Sequence, residues 1–119
     1  MLIDFEYGGW NPQTYDFASY LNEHVCDNGH PEGSGIKYYP QNTPSEASIE
    51  FFVKCYYKET MAGKSEEEIE LSWQENKDRW IESTKKCQVL EYFYWTGWTF
   101  VMMKEADFAN PDYYAWEFL

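Results

Sequence analysis

The chain has 119 residues, enough for one domain with a core and too few for a two-lobed enzyme of ordinary size. Its 9 basic and 21 acidic residues leave a net charge of −12, and no stretch gathers enough Lys or Arg to track a phosphate backbone, so no nucleic-acid partner is expected. Such a negative field favours cations, or simply solubility.

Aromatic residues make up 21% of the chain, including six Trp and eleven Tyr. They suit a core with polar tips, and they are also the side chains that hold quaternary ammonium groups against ring faces. Cys26, Cys55 and Cys87 are odd in number and form no CxxC pair, which predicts reduced intracellular thiols rather than disulfides or a zinc site. No apolar run reaches membrane-spanning length and no secretory leader is evident, so a cytoplasmic protein without a membrane span is expected.

In chain order, the apolar Met1, Leu2 and Ile3 followed by Gly8 and Gly9 predict a short strand ending in a turn. Asp4 and Glu6 alternate with Phe5 along it, so both acids share one face of a continuing strand. Two carboxylates beside a strand end suit a hard cation such as Mg²⁺; the alternative is a solvated acidic face. The segment "TYDFASYLNEHV" carries Tyr15, Ala18 and Leu21, with Phe17 and Val25 near the same side, and predicts a helix over about residues 13–25.

"CDNGHPEGSGIKYYPQN" then breaks the helix and reads as one long ordered loop, because Ile36, Tyr38 and Tyr39 need somewhere to pack. His24 and His30 suggest no catalytic role, and Gly33 to Gly35 lack the setting of a phosphate cradle. Thr43, Pro44 and Glu46 predict a capped helix start, with Ile49, Phe52, Val53 and Tyr56 on its buried face. Ser65 and Glu68 form a second capping box ahead of Ile69, Trp73 and Trp80. "QVLEYFYWTGWTFVMM" is apolar nearly all round and predicts a separate helix buried at the centre of a larger body. "NPDYYAWEFL" predicts a last short helix begun by Asn and Pro. The fold expected is mainly α, with about five helices and one short N-terminal strand that must pair with something.

Trp95 and Trp98 are three residues apart, so both rings project to one side of a helix, and Gly97 between them leaves room for a ligand or another backbone. Such a pair is half of an aromatic box, although a Trp pair on an apolar helix is also ordinary core material.

The string "LIDFEYGGWN" followed by "YDFASYLNE" resembles the signature of the choline/ethanolamine kinase family: Ile3 to Tyr7, Trp10-Asn11, Tyr15-Asp16-Phe17-Ala18 and Glu23. "YWTGWTF" and the later Phe108, Tyr113 and Tyr114 are similar to that family's Trp-x-x-Trp helix and aromatic cluster. The resemblance implies a protein-kinase-like fold of which residues 1–119 form the C-terminal half of the large helical lobe. It implies that Asp4 binds Mg²⁺ accompanying ATP, with Glu6 a supporting acid and Asp16 a structural support of the catalytic loop. Tyr7, Glu23, Trp95, Trp98, Tyr113 and Tyr114 would surround the ammonium of choline or ethanolamine, and the Trp pair leans toward choline.

The catalytic loop and nucleotide loop of such kinases have no counterpart in these residues. The chain by itself is therefore expected to be inactive, a fragment whose remaining N-terminal portion, or a partner chain, pairs with its first strand. The alternative is a catalytically silent lobe retained as a structural or interaction subunit.

Overall fold

The computed structural model describes residues 8–27 and 37–105. The expected N-terminal strand with Asp4, Glu6 and Tyr7, and the expected last helix with Tyr113 and Tyr114, lie outside the described residues. What is described is mainly helical, as expected. Three helices, α1 (Gln13–Glu23), α2 (Glu46–Thr60) and α3 (Glu66–Glu105), accompany a minimal antiparallel pair, β1 (Cys26–Asp27) and β2 (Lys37–Tyr38), and a 3-10 turn at Pro40–Asn42.

Helix α1 starts after Pro12, whose carbonyl accepts the Tyr15 N–H at 2.8 Å. It ends two residues short of the sequence expectation because Val25 is drawn into the hairpin, where its carbonyl accepts the Tyr39 N–H at 2.8 Å. In β1 and β2, Cys26 faces Tyr38 and Asp27 faces Lys37. The long loop thus holds a strand pair, two residues on each side, too short for alternation to announce it.

Helix α2 begins later than Thr43 and Pro44 suggested. Thr43 precedes a proline and sits at φ −54°, ψ 122°, outside the helical region that such a position disfavours. It closes the 3-10 turn instead, its hydroxyl donating to the Pro40 carbonyl at 2.7 Å. The cap is Ser45, extended at φ −67° and ψ 160°, whose hydroxyl accepts the Ser48 N–H at 3.2 Å. The Ser65 box ahead of α3 forms as expected: Ser65 Oγ accepts the Glu68 N–H at 3.3 Å, and Glu68 Oε2 accepts the Ser65 N–H at 2.9 Å. Between α2 and α3 the chain reverses through Gly63 at φ 91°, a left-handed conformation that glycine adopts without a Cβ penalty.

The two expected C-terminal segments are one helix. No Gly or Pro separates Ser83 from Gln88, so α3 runs unbroken for 40 residues. Its inward stripe changes character along its length. Near the start it offers Trp73 and Trp80 to Ile49, Val53 and Tyr57 of α2 and to Phe17 and Leu21 of α1, forming the core, and Ile69, one turn before Trp73, is also buried. Phe17 stacks on Trp80 with centroids 6.2 Å apart and meets Tyr56 edge-on at 4.8 Å. Tyr57 adds a hydroxyl contact of 2.6 Å to Ser72. Lys54–Glu70 at 2.7 Å and Lys58–Glu66 at 3.1 Å also link α2 to α3, though exposed pairs contribute little.

Further along, the buried stripe turns polar: Thr84 is buried with its hydroxyl on the Trp80 carbonyl, and Cys87 and Glu91 meet Thr14 and Asn22 of α1. Beyond that the apolar stretch of the helix is open in this chain taken by itself. Phe93 is 71% exposed and Phe100 67%, with Tyr92 and Val101 also open.

Candidate ammonium-binding site

The polar seam between α1 and α3 positions the aromatic end of the long helix. Thr14 Oγ1 lies 2.9 Å from Ser83 Oγ and 3.4 Å from Cys87 Sγ. One turn on, Asn22 donates through Nδ2 to the Gln88 carbonyl at 3.2 Å, while its Oδ1 accepts from Gln88 Nε2 at 3.0 Å. Ala18 of α1 is fully buried between these contacts in sequence.

Glu91 is the hub of this seam. Its side chain is buried to 2% exposure and accepts from Ser19 Oγ and Asn22 Nδ2 of α1 and, at 3.3 Å, from the indole Nε1 of Trp95. Among the described residues no Lys or Arg forms an ion pair with it. Its charge is felt around it. Partial desolvation, then Glu91, raises the pKa of Glu23 above the ordinary carboxylate value. The same two causes, in the same order, raise the phenols of Tyr15 and Tyr92.

Trp95 and Trp98 continue the inward stripe of α3 past Glu91. Their rings meet edge to face, with centroids 5.7 Å apart and planes inclined by 79°, and Trp95 is 40% exposed. Tyr94 lies edge-on to Trp95 at 5.4 Å. A Cβ added at Gly97, between the two indoles in sequence, would meet nothing within 4 Å. In the strand pair Cys26 lies opposite Tyr38, and Tyr38 is within electrostatic reach of Tyr92 on α3.

Of the expected site residues, Trp95 and Trp98 touch each other and Glu23 lies within electrostatic reach of Glu91, the residue that holds Trp95. Asp16 is exposed on α1. Asp4, Glu6, Tyr7, Tyr113 and Tyr114 lie outside the described residues. Among the described residues there is no cluster of three His, Cys, Asp or Glu able to hold a metal ion, and no helix is long and apolar enough to cross a membrane. Sequence reading missed Glu91. Its signal was an acid inside an apolar run, one helical turn before a Trp, where a carboxylate can reach an indole N–H.

A mainly helical body with this aromatic end, after an Asp-Phe-Glu motif, is the class of structure expected for part of a kinase-like helical lobe. Residues 1–117 match the choline/ethanolamine kinase family, and the chain belongs to that family. It is 27% identical over 118 residues to a human choline/ethanolamine kinase and 28% over 115 residues to one from Rattus norvegicus, each alignment covering 95% of this chain and 29% of the relative. A choline kinase A2 of Caenorhabditis elegans is 27% identical over 116 residues, covering 95% of this chain and 26% of the relative. The chain therefore spans less than a third of the length of these curated relatives. No solved structure matches it.

Proposed function

We propose that residues 1–119 are the C-terminal half of the large lobe of a kinase that phosphorylates the hydroxyl of choline or ethanolamine, an early step of phospholipid synthesis. The observation that carries this reading is the Trp95–Trp98 pair, edge to face, with Trp95 one turn beyond Glu91 on α3 and bonded to it. A trimethylammonium has no N–H donors and prefers ring faces, so two converging indoles favour choline over a primary ammonium. Tyr7, Tyr113 and Tyr114 would complete the wall, and Glu23 would stand at its rim. The names of the relatives agree with this substrate class.

The carboxylates of Asp4 and Glu6 are hard oxygen donors of the kind Mg²⁺ takes while retaining several waters. Bound there, the ion would neutralise phosphate charge on ATP. The work of the residues in this chain is then to hold the ammonium against Trp95 and Trp98, exclude water from it, and so orient the hydroxyl. Asp16 would support the catalytic loop from α1. A cytoplasmic setting suits these soluble substrates.

The test is turnover. The full-length gene product is expected to phosphorylate choline with Mg-ATP, faster than ethanolamine at equal concentration, and Asp4→Ala is expected to abolish the reaction. Normal turnover in that variant would remove the metal role, and no turnover of either alcohol by the unmodified protein would remove the activity.

A second reading, a silent lobe that serves assembly, draws on the exposure of Phe93 and Phe100 along α3. An apolar face of that kind calls for a cover, either the remaining kinase portion or a partner chain. Size-exclusion chromatography of the 119-residue chain, alone and with the remaining kinase portion, separates the two.

A further inference from the structure

We infer that Glu91 is a positioning residue for the ammonium pocket: held by Ser19 and Asn22 of α1, it accepts the Trp95 indole N–H and fixes the angle at which that ring face meets the ligand. The inference rests on the proposed choline site and deepens it, because it concerns what sets the ring rather than the ring itself.

A carboxylate at 2% exposure is costly to bury without a cationic partner, and stability alone would be served as well by an apolar side chain of similar volume. What an apolar residue would not supply is an acceptor for the indole. Oε1 receives both the Ser19 hydroxyl and the Trp95 N–H, and Oε2 receives the Asn22 amide. Two donors from α1 thus lock the carboxylate, and the locked carboxylate locks the indole. The restraint matters at this position because Trp95 is 40% exposed, and the ring contacts to Tyr94 and Trp98 leave its indole N–H for Glu91 to hold. A cation over a ring gains only when the face is correctly presented. Negative charge at the N–H edge also enriches the ring in electron density, which strengthens its attraction for a cation.

The effect reaches the pocket rim as well. Glu91 is second only to desolvation in raising the pKa of Glu23, so the two acids share one field, and an ammonium between Trp95 and Glu23 would relieve their repulsion. The seam between α1 and α3 therefore connects to ligand binding through one side chain.

The experiment uses the full-length protein with choline chloride as probe, and reads both Kd by calorimetry and the split between KM and kcat. Glu91→Leu removes acceptor and charge and is expected to raise Kd and KM about tenfold with kcat little changed. Glu91→Gln keeps an acceptor for the indole and is expected to recover most of that loss. In a Trp95→Phe background, which has no N–H to hold, Glu91→Leu should cost little more, a non-additivity that a general structural role would not produce. Circular dichroism of each variant checks the fold, and Ser19→Ala provides a milder version should Glu91→Leu fail to fold. If the unmodified protein does not bind choline, the proposed function falls and this inference with it. If it binds choline and Glu91→Leu matches it, or the two substitutions add, the positioning role alone is overturned.

Discussion

Trp95 and Trp98 meet edge to face on one side of α3, their centroids 5.7 Å apart, so that one ring braces the other. Edge-to-face pairs contribute about 0.5–1.5 kcal/mol beyond burial. Each ring in a formed ammonium box contributes about 0.5–2 kcal/mol more to a bound cation. Replacing either Trp by Ala should therefore weaken choline binding about 3- to 30-fold, and the double replacement should be less than the product of the two, because each single change already frees the other ring. Isothermal titration with choline measures all three. Equal affinity in Trp95→Ala would remove the ring from the pocket.

Gly97 offers a sharper comparison. Alanine at this helical site meets nothing within 4 Å and is favoured over glycine by about 1 kcal/mol. Gly97→Ala should raise the melting temperature while lowering choline affinity, if the ligand approaches through the space between the indoles. Gain of stability with unchanged binding would show that the ligand does not use that space.

The acid at the rim carries a pH signature. The Glu23 pKa is raised, by partial desolvation first and Glu91 second, so the folded state holds this proton more tightly than the unfolded chain. Its charge is thus unfavourable to folding above its folded pKa, and the penalty disappears as pH falls below the unfolded value. Glu23→Gln should accordingly melt higher than the unmodified protein near neutral pH and lose that advantage in acid. Choline affinity should fall on acidification from a higher pH than for a free glutamate, and the fall should shrink in the variant. Thermal melts and titrations from pH 4 to 8, on the order of one unit apart around the reference carboxylate value, test both.

Leu21 and Trp73 test the body that carries the site. Both are buried in the cluster shared by the three helices, at 3% and 0% exposure. Leu21→Ala should destabilise by about 2–5 kcal/mol and Trp73→Ala by about 3–5 kcal/mol in urea unfolding, large fractions of an ordinary domain's stability. Ser65→Ala removes only the cap of α3 and should cost about 0.5–2 kcal/mol.

Much of this was legible in the sequence, for a local reason. A capping box needs only residues within one turn, and Ser65 with Glu68 formed as their spacing implied. The stripes of Ile49 and Val53 and of Ile69 and Trp73 likewise needed only a period. The start of α2 was misjudged because Thr43 and Ser45 both offer a hydroxyl, and the choice was made by the proline that follows Thr43. The unbroken α3 was read as two helices because its composition changes near Gln88 from amphipathic to apolar. That change marks a change of neighbours along one helix, and composition alone does not distinguish the two. Glu91 went unnoticed since its three donors come from Ser19 and Asn22, some seventy positions away, as well as from the nearby Trp95. Within the candidate site, the Trp pair was legible from spacing and its support was not.

The length of α3 has a mechanical consequence. Its 40 residues correspond to a rod of about 60 Å, gripped by α2 near the capped end and by the Glu91 seam much nearer the indoles. A tilt of about one degree at the capped end would swing the far tip by about 1 Å, and displacements of that size are enough to spoil an aligned reaction. The seam acts as the second bearing of this lever. Slack in it would surface as imprecise aim at the substrate, even with every aromatic side chain still in place.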